Sequence, residues 1–350
     1  MSKVAIGLSG GVDSSVAVHL LQQAGHEVVG IHMRLTPESG RDNRAARDAQ
    51  AVAEQFGIAF HELDMRDYFS REVIAPFADA YLQGLTPNPC VRCNALVKFG
   101  ALWKEAQRLG CDKLATGHYV RVRHNASGDA LLCAASPEKD QSYFLWGIPR
   151  NMLAHILCPL GDYSKDETRA MAAELGLITA EKKESQEICF IPGDDYAAFL
   201  QAYCPNHLPG KGAFIDAQGH TIGEHTGSWR YTIGQRRGLG LALGYPAYVT
   251  AINAEANTVT VGTNDNLMHQ ELSASQVNLL VSSTTSGRAR IKIRSRDRGS
   301  EGSWRLEGER LLVHFDTPVR AITPGQSVVL YDGERVIAGG IIDGPLSDAH

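Results

Sequence analysis

A run of seven residues, Ser9 to Ser15, has the composition of a phosphate-binding turn. It reads SGGVDSS and follows the apolar residues 4–8, which predict a buried parallel strand. Gly10 and Gly11 permit a tight turn and leave room for a ligand. Asp13 and Ser14 stand where a helix begins, and a helix N-terminus offers free backbone N–H groups and a positive dipole end. We therefore expect an anion site, with the serine hydroxyls at positions 9, 14 and 15 as further donors.

This run differs from the two commonest nucleotide motifs. The Walker spacing and its lysine are absent, and the run does not read G-x-G-x-x-G. It resembles instead the pyrophosphate loop of the ATP pyrophosphatases, which cleave ATP between the α and β phosphates and adenylate a substrate. The alternative is a Ser/Gly-rich turn that binds nothing. Its place behind the first strand favours the nucleotide loop, and the acceptor of the adenylyl group stays open.

Cys90 and Cys93 form a C-x-x-C spacing inside the proline-rich segment 86–94. We expect a helix to begin around Asn94, with Cys93 near its first turn. The helix N-terminus and the charge of Arg92 would both favour the thiolate, which is the nucleophilic form of cysteine. The spacing alone is weak evidence, and a buried structural pair is the alternative.

Three other places hold chemically active side chains. Cys189 stands between two apolar residues, and these flanks by themselves favour inert packing. A polar stretch, 139–142, precedes the aromatic stretch 143–146 and sets hydrogen-bonding groups beside aromatic faces. His118 follows a predicted short strand, so it lies on the ligand side of the sheet. From its position alone, a turn histidine and a functional histidine are about equally supported.

Basic residues recur at every second position in the segment 286–298, which carries six positive charges and one negative charge. They are Arg288, Arg290, Lys292, Arg294, Arg296 and Arg298. A period of two puts all six on one face of a strand. A solvated barrel face is the ordinary explanation, but like charges without interspersed acids repel one another. The pattern therefore favours a polyanionic partner.

Strand and helix patterns alternate in the first half of the chain. The predicted strands after the first are 28–33, 58–63 and 113–116, and the predicted helices are 44–56, 71–82, 96–109 and 168–175. This alternation predicts a parallel sheet with ligands beyond the carboxyl ends of its strands. Beyond Pro192-Gly193 the texture changes, and from about residue 209 short strands replace helices: 248–252, 258–261, 288–294, 311–315, 327–331 and 335–342. We expect an α/β domain (1–195), a small β-rich central domain (196–268) and a C-terminal β-barrel (269–350).

The composition is that of a globular chain: 350 residues, 43% hydrophobic, 21% charged, with a formal charge of −5. This charge argues against a protein that coats nucleic acid indiscriminately. The start of the chain shows no signal-peptide pattern, and no run of 18 apolar residues is available to span a membrane. Seven cysteines in such a chain suit reduced thiols better than a disulfide framework. We expect a cytoplasmic protein with no membrane partner.

Eight motifs together resemble the tRNA-specific 2-thiouridylase (MnmA/TrmU) family across essentially the whole chain. They are GLSGGVDSS (7–15), TPNPCVRCN (86–94), TGHYVR (116–121), KDQSYFL (139–145), ICFIP (188–192), IGEHTG (222–227), GQRRGLG (234–240) and TPGQSVVLY (323–331). The family uses ATP to thiolate carbon 2 of the wobble uridine of certain tRNAs. It takes sulfur from a relay protein as a persulfide.

The resemblance implies a role for each matching residue. The ATP-binding positions are Gly7, Leu8, Ser9, Gly10, Gly11, Val12, Asp13, Ser14, Met33 and Gly117, with Asp13 also catalytic. Cys93 matches the nucleophile and Cys189 the cysteine that receives the persulfide, which reverses the packing interpretation of Cys189. Asn88, Pro89 and Cys90 match positions that contact the target base. The tRNA-contacting positions are His118, Lys139, Asp140, Gln141, Arg294, Ser295 and Gln326.

The implied reaction needs ATP and Mg²⁺ to turn the uracil oxygen into a leaving group, and a persulfide to supply sulfur. Cys93 then attacks the persulfide on Cys189 and leaves a disulfide for later reduction. Some family members carry Asp at the position of Cys90. The third thiol also allows a [4Fe–4S] cluster held by Cys90, Cys93 and Cys189.

Two other functions stay open. Another ligase with a pyrophosphate loop, such as an amidating or lysidine synthetase, would explain the 9–15 run but would give Cys93 and Cys189 no role. A nucleotide-gated RNA-binding protein with structural cysteines would not turn over substrate. Pyrophosphate exchange that depends on uncharged tRNA, together with thiouridine formation, separates these possibilities.

Overall fold

The computed structural model describes residues 1–36, 40–125, 130–135, 139–182, 188–191, 193, 195–281 and 284–346. A five-stranded parallel sheet forms the centre of the first half. The strands of this half are β1 (Lys3–Gly7), β2 (Glu27–Arg34), β3 (Ala59–Asp64), β4 (Lys113–Ala115), the hairpin β5 (Val120–His124) and β6 (Ala130–Ala134), and β7 (Ile156–Leu157). The parallel sheet has the order β3-β2-β1-β4-β7, as the alternating pattern predicts.

Helices pack against this sheet. They are α1 (Val12–Gln23), α2 (Gly40–Gln55), α3 (Arg66–Phe69), α4 (Ala75–Leu82), α5 (Pro89–Arg92), α6 (Leu102–Arg108), α7 (Lys165–Glu174) and, after the sheet, α8 (Tyr196–Tyr203). A π-helical segment, Ser70–Ile74, joins α3 to α4, and a second, Cys93–Ala101, joins α5 to α6. We call the continuous run 89–108 the cysteine helix. Helical π segments are rare and often occur at functional sites.

The cysteine helix begins at Pro89, earlier than the predicted start near Asn94. Proline suits the first helical position, because that position needs no intrahelical N–H and proline already has a helical φ. The Asn88 Oδ1 accepts the backbone N–H of Cys90 at 3.2 Å and caps the helix. Cys93 therefore lies in the second turn, and the expectation that it occupies the first turn is wrong.

The second half is built of β-structure, as predicted. Its strands are β8 (Gly212–Ile215), β9 (Thr221–His225), β10 (Tyr248–Asn253), β11 (Thr258–Gly262), β12 (Met268–Leu279), β13 (Ser286–Lys292), β14 (Ser300–Glu307), β15 (Arg310–Arg320), β16 (Ser327–Asp332) and β17 (Arg335–Pro345). The first four form a small sheet in the order β10-β11-β8-β9. The last six form a barrel that the pairing of β12 with β17 closes.

The basic segment departs from its prediction. Strand β13 ends at Lys292, and Ile291 pairs with Ser300 of β14. Because β13 and β14 run antiparallel, residues 293–299 must reverse the chain direction and cannot continue the strand. The expectation of six basic residues on one strand face is therefore wrong. Strand β13 carries three of them, and Arg294, Arg296 and Arg298 belong to the connection.

The barrel packs directly on the α/β half. The Tyr143 hydroxyl donates to the Ser327 carbonyl at 2.8 Å, and the Asn278 amide donates to the Trp146 carbonyl at 2.6 Å. Trp146 is buried and lies against Gly339 of β17. One apolar core thus continues from the parallel sheet into the barrel and fixes the wall of the cleft between them. Within the described ranges, none of the helices combines the length and apolar character needed to cross a membrane.

Candidate active site

The 9–15 loop turns directly from β1 into α1. Gly10 has a φ of 69°, and a side chain there would collide with a backbone carbonyl of α2. No side chain caps α1 at Gly11, so the N–H groups of its first turn are directed out of the helix end. The Ser9 and Ser14 hydroxyls lie 3.2 Å apart at the same turn. Backbone donors and two hydroxyls together can hold an anion such as a phosphate.

Ser15 does not join this group. It is buried, and its hydroxyl donates to the Gly11 carbonyl at 2.8 Å and accepts from the Thr179 hydroxyl at 3.2 Å. The expectation of a third phosphate-binding hydroxyl is therefore wrong. Ser14 is buried as well, but its hydroxyl lies beside that of Ser9, whereas the Ser15 hydroxyl lies beside that of Thr179.

Asp13, in the first turn of α1, has two partners from distant segments. The Lys165 ammonium group donates to both carboxylate oxygens at 2.6 and 2.8 Å, and the Tyr119 hydroxyl donates to Oδ1 at 2.8 Å. Lys165 is itself at the start of α7, behind the Ser164 capping box. A second lysine, Lys182, donates to the Gly10 carbonyl at 2.6 Å and pairs with Asp48 of α2. These contacts fix both the loop backbone and its carboxylate.

The other predicted nucleotide positions surround the loop. Gly7 ends β1, while Leu8 and Val12 are buried and anchor the loop in the core. Met33 lies half-buried near the carboxyl end of β2. Gly117 follows β4, where an added Cβ would lie 2.9 Å from the Ser14 nitrogen. These positions meet at the carboxyl edge of the sheet, where ligands of parallel sheets bind.

The cysteine helix brings Cys90 and Cys93 beside Cys189. Burial raises the pKa of the Cys93 thiol; nearby Cys90 raises it further, and the charge of Lys98 opposes both effects. Although Cys189 is exposed as a residue, desolvation of its thiol by the surrounding side chains raises its pKa to about 12, with smaller contributions from Cys93 and Cys90. The three thiols are therefore near enough to affect one another's pKa values, and all seven cysteines of the chain are free thiols.

The predicted source of thiolate stabilisation is wrong in one respect. Arg92 does not direct its charge at Cys93, because its guanidinium contacts Glu72, with 3.3 Å between Nη2 and Oε2. Lys98 is the cation that acts on Cys90, Cys93 and Cys189.

Cys189 is exposed, although its neighbour Phe190 is buried. Phe190 packs edge-on against Phe69, Phe77 and Phe199, with ring centroids 5.3 to 5.7 Å apart. This aromatic cluster anchors the segment, so that Cys189 stays accessible at a fixed place. Pro192 of the same motif lies outside the described residues.

The thiols do not form a metal site in the structure. In the part of the chain that is described, no group of three or more Cys, His, Asp or Glu side chains is arranged to bind a metal ion. The geometry gives the predicted [4Fe–4S] cluster no support.

A cavity of about 1580 Å³ separates the cysteine helix from the barrel. Cys90, Lys98 and His118 line one wall, and Lys139, Asp140 and Gln141 line its edge. The opposite wall carries a small excess of positive charge: Arg288, Arg290, Lys292, Arg296 and Arg298 stand there with four acidic residues, Ser295 and Tyr331. This distribution puts a thiol and a basic surface on either side of one opening.

Asp140 and Gln141, two of the residues that line the cavity, bond to neighbouring parts of the protein. The Asp140 carboxylate accepts from the Ser142 N–H at 2.9 Å and pairs with Lys292 at 3.5 Å, with both charged side chains nearly buried. The Gln141 side-chain oxygen accepts the Tyr119 N–H at 2.9 Å. These two residues fix the cavity edge to the α/β half and to β13.

Two of the predicted tRNA positions lie elsewhere. Arg294 and Gln326 line a second pocket of about 530 Å³, together with Arg230 and Arg320. The Arg294 guanidinium donates to the carbonyls of Arg320 and Ala321 at 2.8 and 2.7 Å. The Gln326 amide donates to the Thr86 carbonyl at 2.8 Å, just before the cysteine helix. The predicted tRNA-contacting residues therefore form two groups, one at each pocket.

Known protein families match this architecture along nearly its whole length. The tRNA methyl transferase HUP domain matches residues 2–193, the tRNA methyl transferase PRC-barrel domain residues 197–263, and the Aminomethyltransferase beta-barrel domain residues 269–342. The tRNA-specific 2-thiouridylase MnmA of Moorella thermoacetica is 44% identical over 97% of this chain and 98% of its own. That of Acetivibrio thermocellus is 41% identical over 97% and 99%. This chain belongs to the tRNA-specific 2-thiouridylase family.

Among solved structures, NMN synthetase from Francisella tularensis aligns with 53% of this chain and 66% of its own, at 18% identity and a TM-score of 0.36. The family assignment rests on the sequence relatives.

Sequence reasoning missed three lysines of this 2-thiouridylase-family site. Lys98, Lys165 and Lys182 each contact a residue at least 20 positions away. A lysine in a helical pattern is ordinarily a solvated one, so composition carries no signal for them. Lys182 stands within seven residues of Cys189, and that proximity is the one clue the sequence offers.

Proposed function

We propose that this enzyme catalyses the ATP-dependent 2-thiolation of the wobble uridine of tRNA through an adenylated uridine and a cysteine persulfide. The relatives are named as tRNA-specific 2-thiouridylases, and the same chain carries a phosphate-binding loop and grouped thiols. The observation that carries the proposal is that Cys90 lines a cavity with an excess of basic side chains on its far wall and lies near Cys93 and Cys189. A pyrophosphate-loop ligase without sulfur chemistry would not need this group.

ATP would bind with its phosphates on the 9–15 loop, where the N–H groups of α1 and the Ser9 and Ser14 hydroxyls donate. A carboxylate is a suitable ligand for Mg²⁺, and Asp13 is at the loop. When bound, Mg²⁺ would neutralise charge on the departing pyrophosphate. Lys165 and Tyr119 hold Asp13 in place. The uridine oxygen O2 attacks the α-phosphorus, pyrophosphate leaves, and carbon 2 becomes electrophilic.

The thiols would then deliver sulfur. A relay protein transfers its terminal sulfur to Cys189, whose exposure allows access by another protein. The terminal sulfur attacks carbon 2, and AMP leaves with the oxygen. The Cys93 thiolate, having lost its proton to solvent, attacks Sγ of Cys189. The S–S bond of the persulfide breaks, its electron pair stays on the base as the thiocarbonyl, and a Cys93–Cys189 disulfide forms for reduction by an external dithiol.

The basic wall would hold the tRNA by its phosphates while the target base enters the cavity. Asn88, Pro89 and Cys90 are at the start of the cysteine helix, and Cys90 lines the cavity. We assign these three to the target base. His118, Lys139, Asp140, Gln141 and Ser295 at the cavity, with Arg294 and Gln326 at the second pocket, form the proposed tRNA surface.

Thiol substitutions test this function directly. Purified variants Cys93→Ser and Cys189→Ser are incubated with tRNA, ATP, Mg²⁺ and a persulfide donor, and nucleosides are quantified by mass spectrometry. We expect each to lose 2-thiouridine formation and to retain tRNA-dependent pyrophosphate release, because the 9–15 loop is untouched. Cys204→Ser is the matched control, since Cys204 bonds only the Leu200 carbonyl of its own helix.

Thiolation by either variant at the wild-type rate would contradict the sulfur-transfer assignment. Wild-type protein that binds tRNA but releases no pyrophosphate would instead indicate an RNA-binding protein without turnover. Cys90→Ser together with an iron assay on anaerobically purified protein tests the cluster. Full activity of iron-free Cys90→Ser protein supports the persulfide route.

A further inference from the structure

Lys98 is half-buried on the cysteine helix and lines the same cavity as Cys90 and His118. It lies in the π segment Cys93–Ala101. Five residues of an α-helix cover about 1.4 turns, which would direct residues 93 and 98 to different sides. The i→i+5 hydrogen bonding of a π segment winds less tightly and returns the fifth residue to the same side. The π segment therefore brings the Lys98 charge toward Cys93.

His118 holds the Lys98 side chain. Lys98 Nζ lies 3.4 Å from His118 Nε2, and His118 Nδ1 lies 2.8 Å from the Thr116 hydroxyl. Burial, and then the charge of Lys98, lower the pKa of His118 well below its ordinary value. The ring is thus neutral, with Nε2 accepting from the ammonium group and Nδ1 donating to Thr116. Because the histidine is neutral, Lys98 keeps its whole positive charge for the thiols.

Lys98 is the cation that acts on all three thiols. Its charge opposes the desolvation that raises the pKa of the buried Cys93 thiol, of the half-buried Cys90 and of Cys189, which is exposed as a residue. The other cation of this stretch, Arg92, contacts Glu72 instead. Buried thiols need such a charge, because a thiolate in apolar surroundings is costly to form.

We propose that Lys98 is a positioning residue of sulfur transfer, whose charge stabilises the thiolates of Cys93 and Cys189 as they form. The inference rests on the proposed function, because it assigns those thiols to sulfur transfer. Lys98 transfers no proton in this step, and the proton that Cys93 loses goes to solvent. The charge thus assists the attack on the persulfide without itself being consumed.

Several charged and titratable groups face this site. Cys90 and Cys93 come from the cysteine helix itself, His118 from the segment after β4, and Cys189 from its own segment. Across the cavity stand Lys139 and Asp140, and beyond them the charged side chains of the barrel wall: Arg288, Arg290, Lys292, Arg296, Asp297, Arg298, Glu301, Asp332 and Glu334. Asp140 pairs with Lys292 and is not directed at the thiols.

The test measures thiol reactivity as a function of pH. Wild type, Lys98→Gln, Lys98→Arg and the control Arg92→Gln are alkylated with iodoacetamide from pH 6 to 11, and each cysteine is quantified by mass spectrometry. We expect Lys98→Gln to alkylate Cys93 and Cys189 about tenfold more slowly at pH 8, as a rise of one pKa unit gives. Lys98→Arg restores the charge and the rate, and Arg92→Gln follows wild type.

A wild-type profile for Lys98→Gln would overturn the inference, as would Lys98→Arg behaving like Lys98→Gln. If Lys98→Gln fails to fold, as judged by thermal unfolding, His118→Leu replaces it. Removing the acceptor that holds the ammonium group should shift the profile in the same direction by a smaller factor, and an unshifted profile would count against the inference. If wild-type protein forms no 2-thiouridine in the persulfide assay, the proposed function is rejected. The alkylation profiles would still show whether Lys98 affects the reactivity of the thiols.

Discussion

Asp13 depends on Lys165 and Tyr119, two residues more than 100 positions away in the chain. Lys165 is nearly buried, while Asp13 is about one-third exposed. A carboxylate beside a phosphate site repels the ligand unless a cation or metal ion neutralises it. Lys165 therefore sets both the position of Asp13 and the local charge that ATP meets.

We expect Lys165→Met to slow tRNA-dependent pyrophosphate release by about 100-fold, because small displacements of a site group have effects of that size. The measurement is pyrophosphate release at saturating ATP and tRNA. Asp166→Asn, an exposed position on the same helix, serves as the control and should match wild type. Equal rates for Lys165→Met and Asp166→Asn would show that Lys165 does not contribute to pyrophosphate release.

At this scale, local patterns and tertiary contacts differ in how well the sequence predicts them. The 9–15 loop is a local feature, since its glycines, helix start and apolar strand are adjacent in the chain. The orientation of Ser15 and the partner of Arg92 are not local, because they depend on Thr179 and Glu72. The orientation of Lys98 is equally hard to predict from the sequence, because it depends on the π segment, which turns the side chain toward the thiols.

Among the elements, β13 and the connection after it decide how the basic segment works. Lys292 is a poor probe of tRNA binding, because its loss would leave the nearly buried Asp140 without its cation. Arg288 pairs with Asp316, with 3.0 Å between Nη1 and Oδ1. Arg296 and Arg298 are exposed in the connection and line the cavity.

We expect the double substitution Arg296→Ala with Arg298→Ala to weaken tRNA binding to a similar degree for all substrate tRNAs. Each lost phosphate contact should reduce the slope of log affinity against log salt by up to about 1 unit. The measurement is filter binding across a salt series. Arg305→Ala, which removes one exposed arginine of β14 outside the cavity lining, is the control for a single lost charge. An unchanged slope in the double variant would show that Arg296 and Arg298 belong to a solvated surface and do not contact tRNA phosphates.

Five of the six alternating basic residues line the cavity, but their period of two does not indicate one long strand. A hairpin connection has no fixed period, so residues 293–299 show the same alternation without sharing a strand face. The helix start at Pro89, by contrast, was available from the sequence, since proline at the first helical position after an asparagine cap is a known combination.

Across the whole molecule, the cavity exists because the barrel and the α/β half are held at a fixed distance. We propose the divisions 1–195, 196–268 and 269–350, which the change from the parallel sheet to the small sheet and then to the barrel supports. The hairpin β5–β6 belongs to the first part but extends the barrel sheet through β17. The sequence predicts the three parts from their textures, yet the pairing of β6 with β17 joins segments some 200 residues apart and has no local signal.

Gly339 is the tightest point of this junction. An added Cβ would lie 2.5 Å from Cδ2 of Trp146, which is buried between the two halves. We expect Gly339→Ala to lower the free energy of unfolding by about 1–3 kcal/mol, the usual cost of overpacking. Because this contact belongs to the core that joins the barrel to the α/β half, on the two sides of the cavity, we expect tRNA affinity to fall with it. Gly287→Ala on β13 is the control, since the nearest atom to its added Cβ is 3.5 Å away. Urea unfolding and tRNA binding of both variants measure the two effects. A Gly339→Ala protein as stable as Gly287→Ala would show that the contact between Gly339 and Trp146 does not constrain the packing of the two halves.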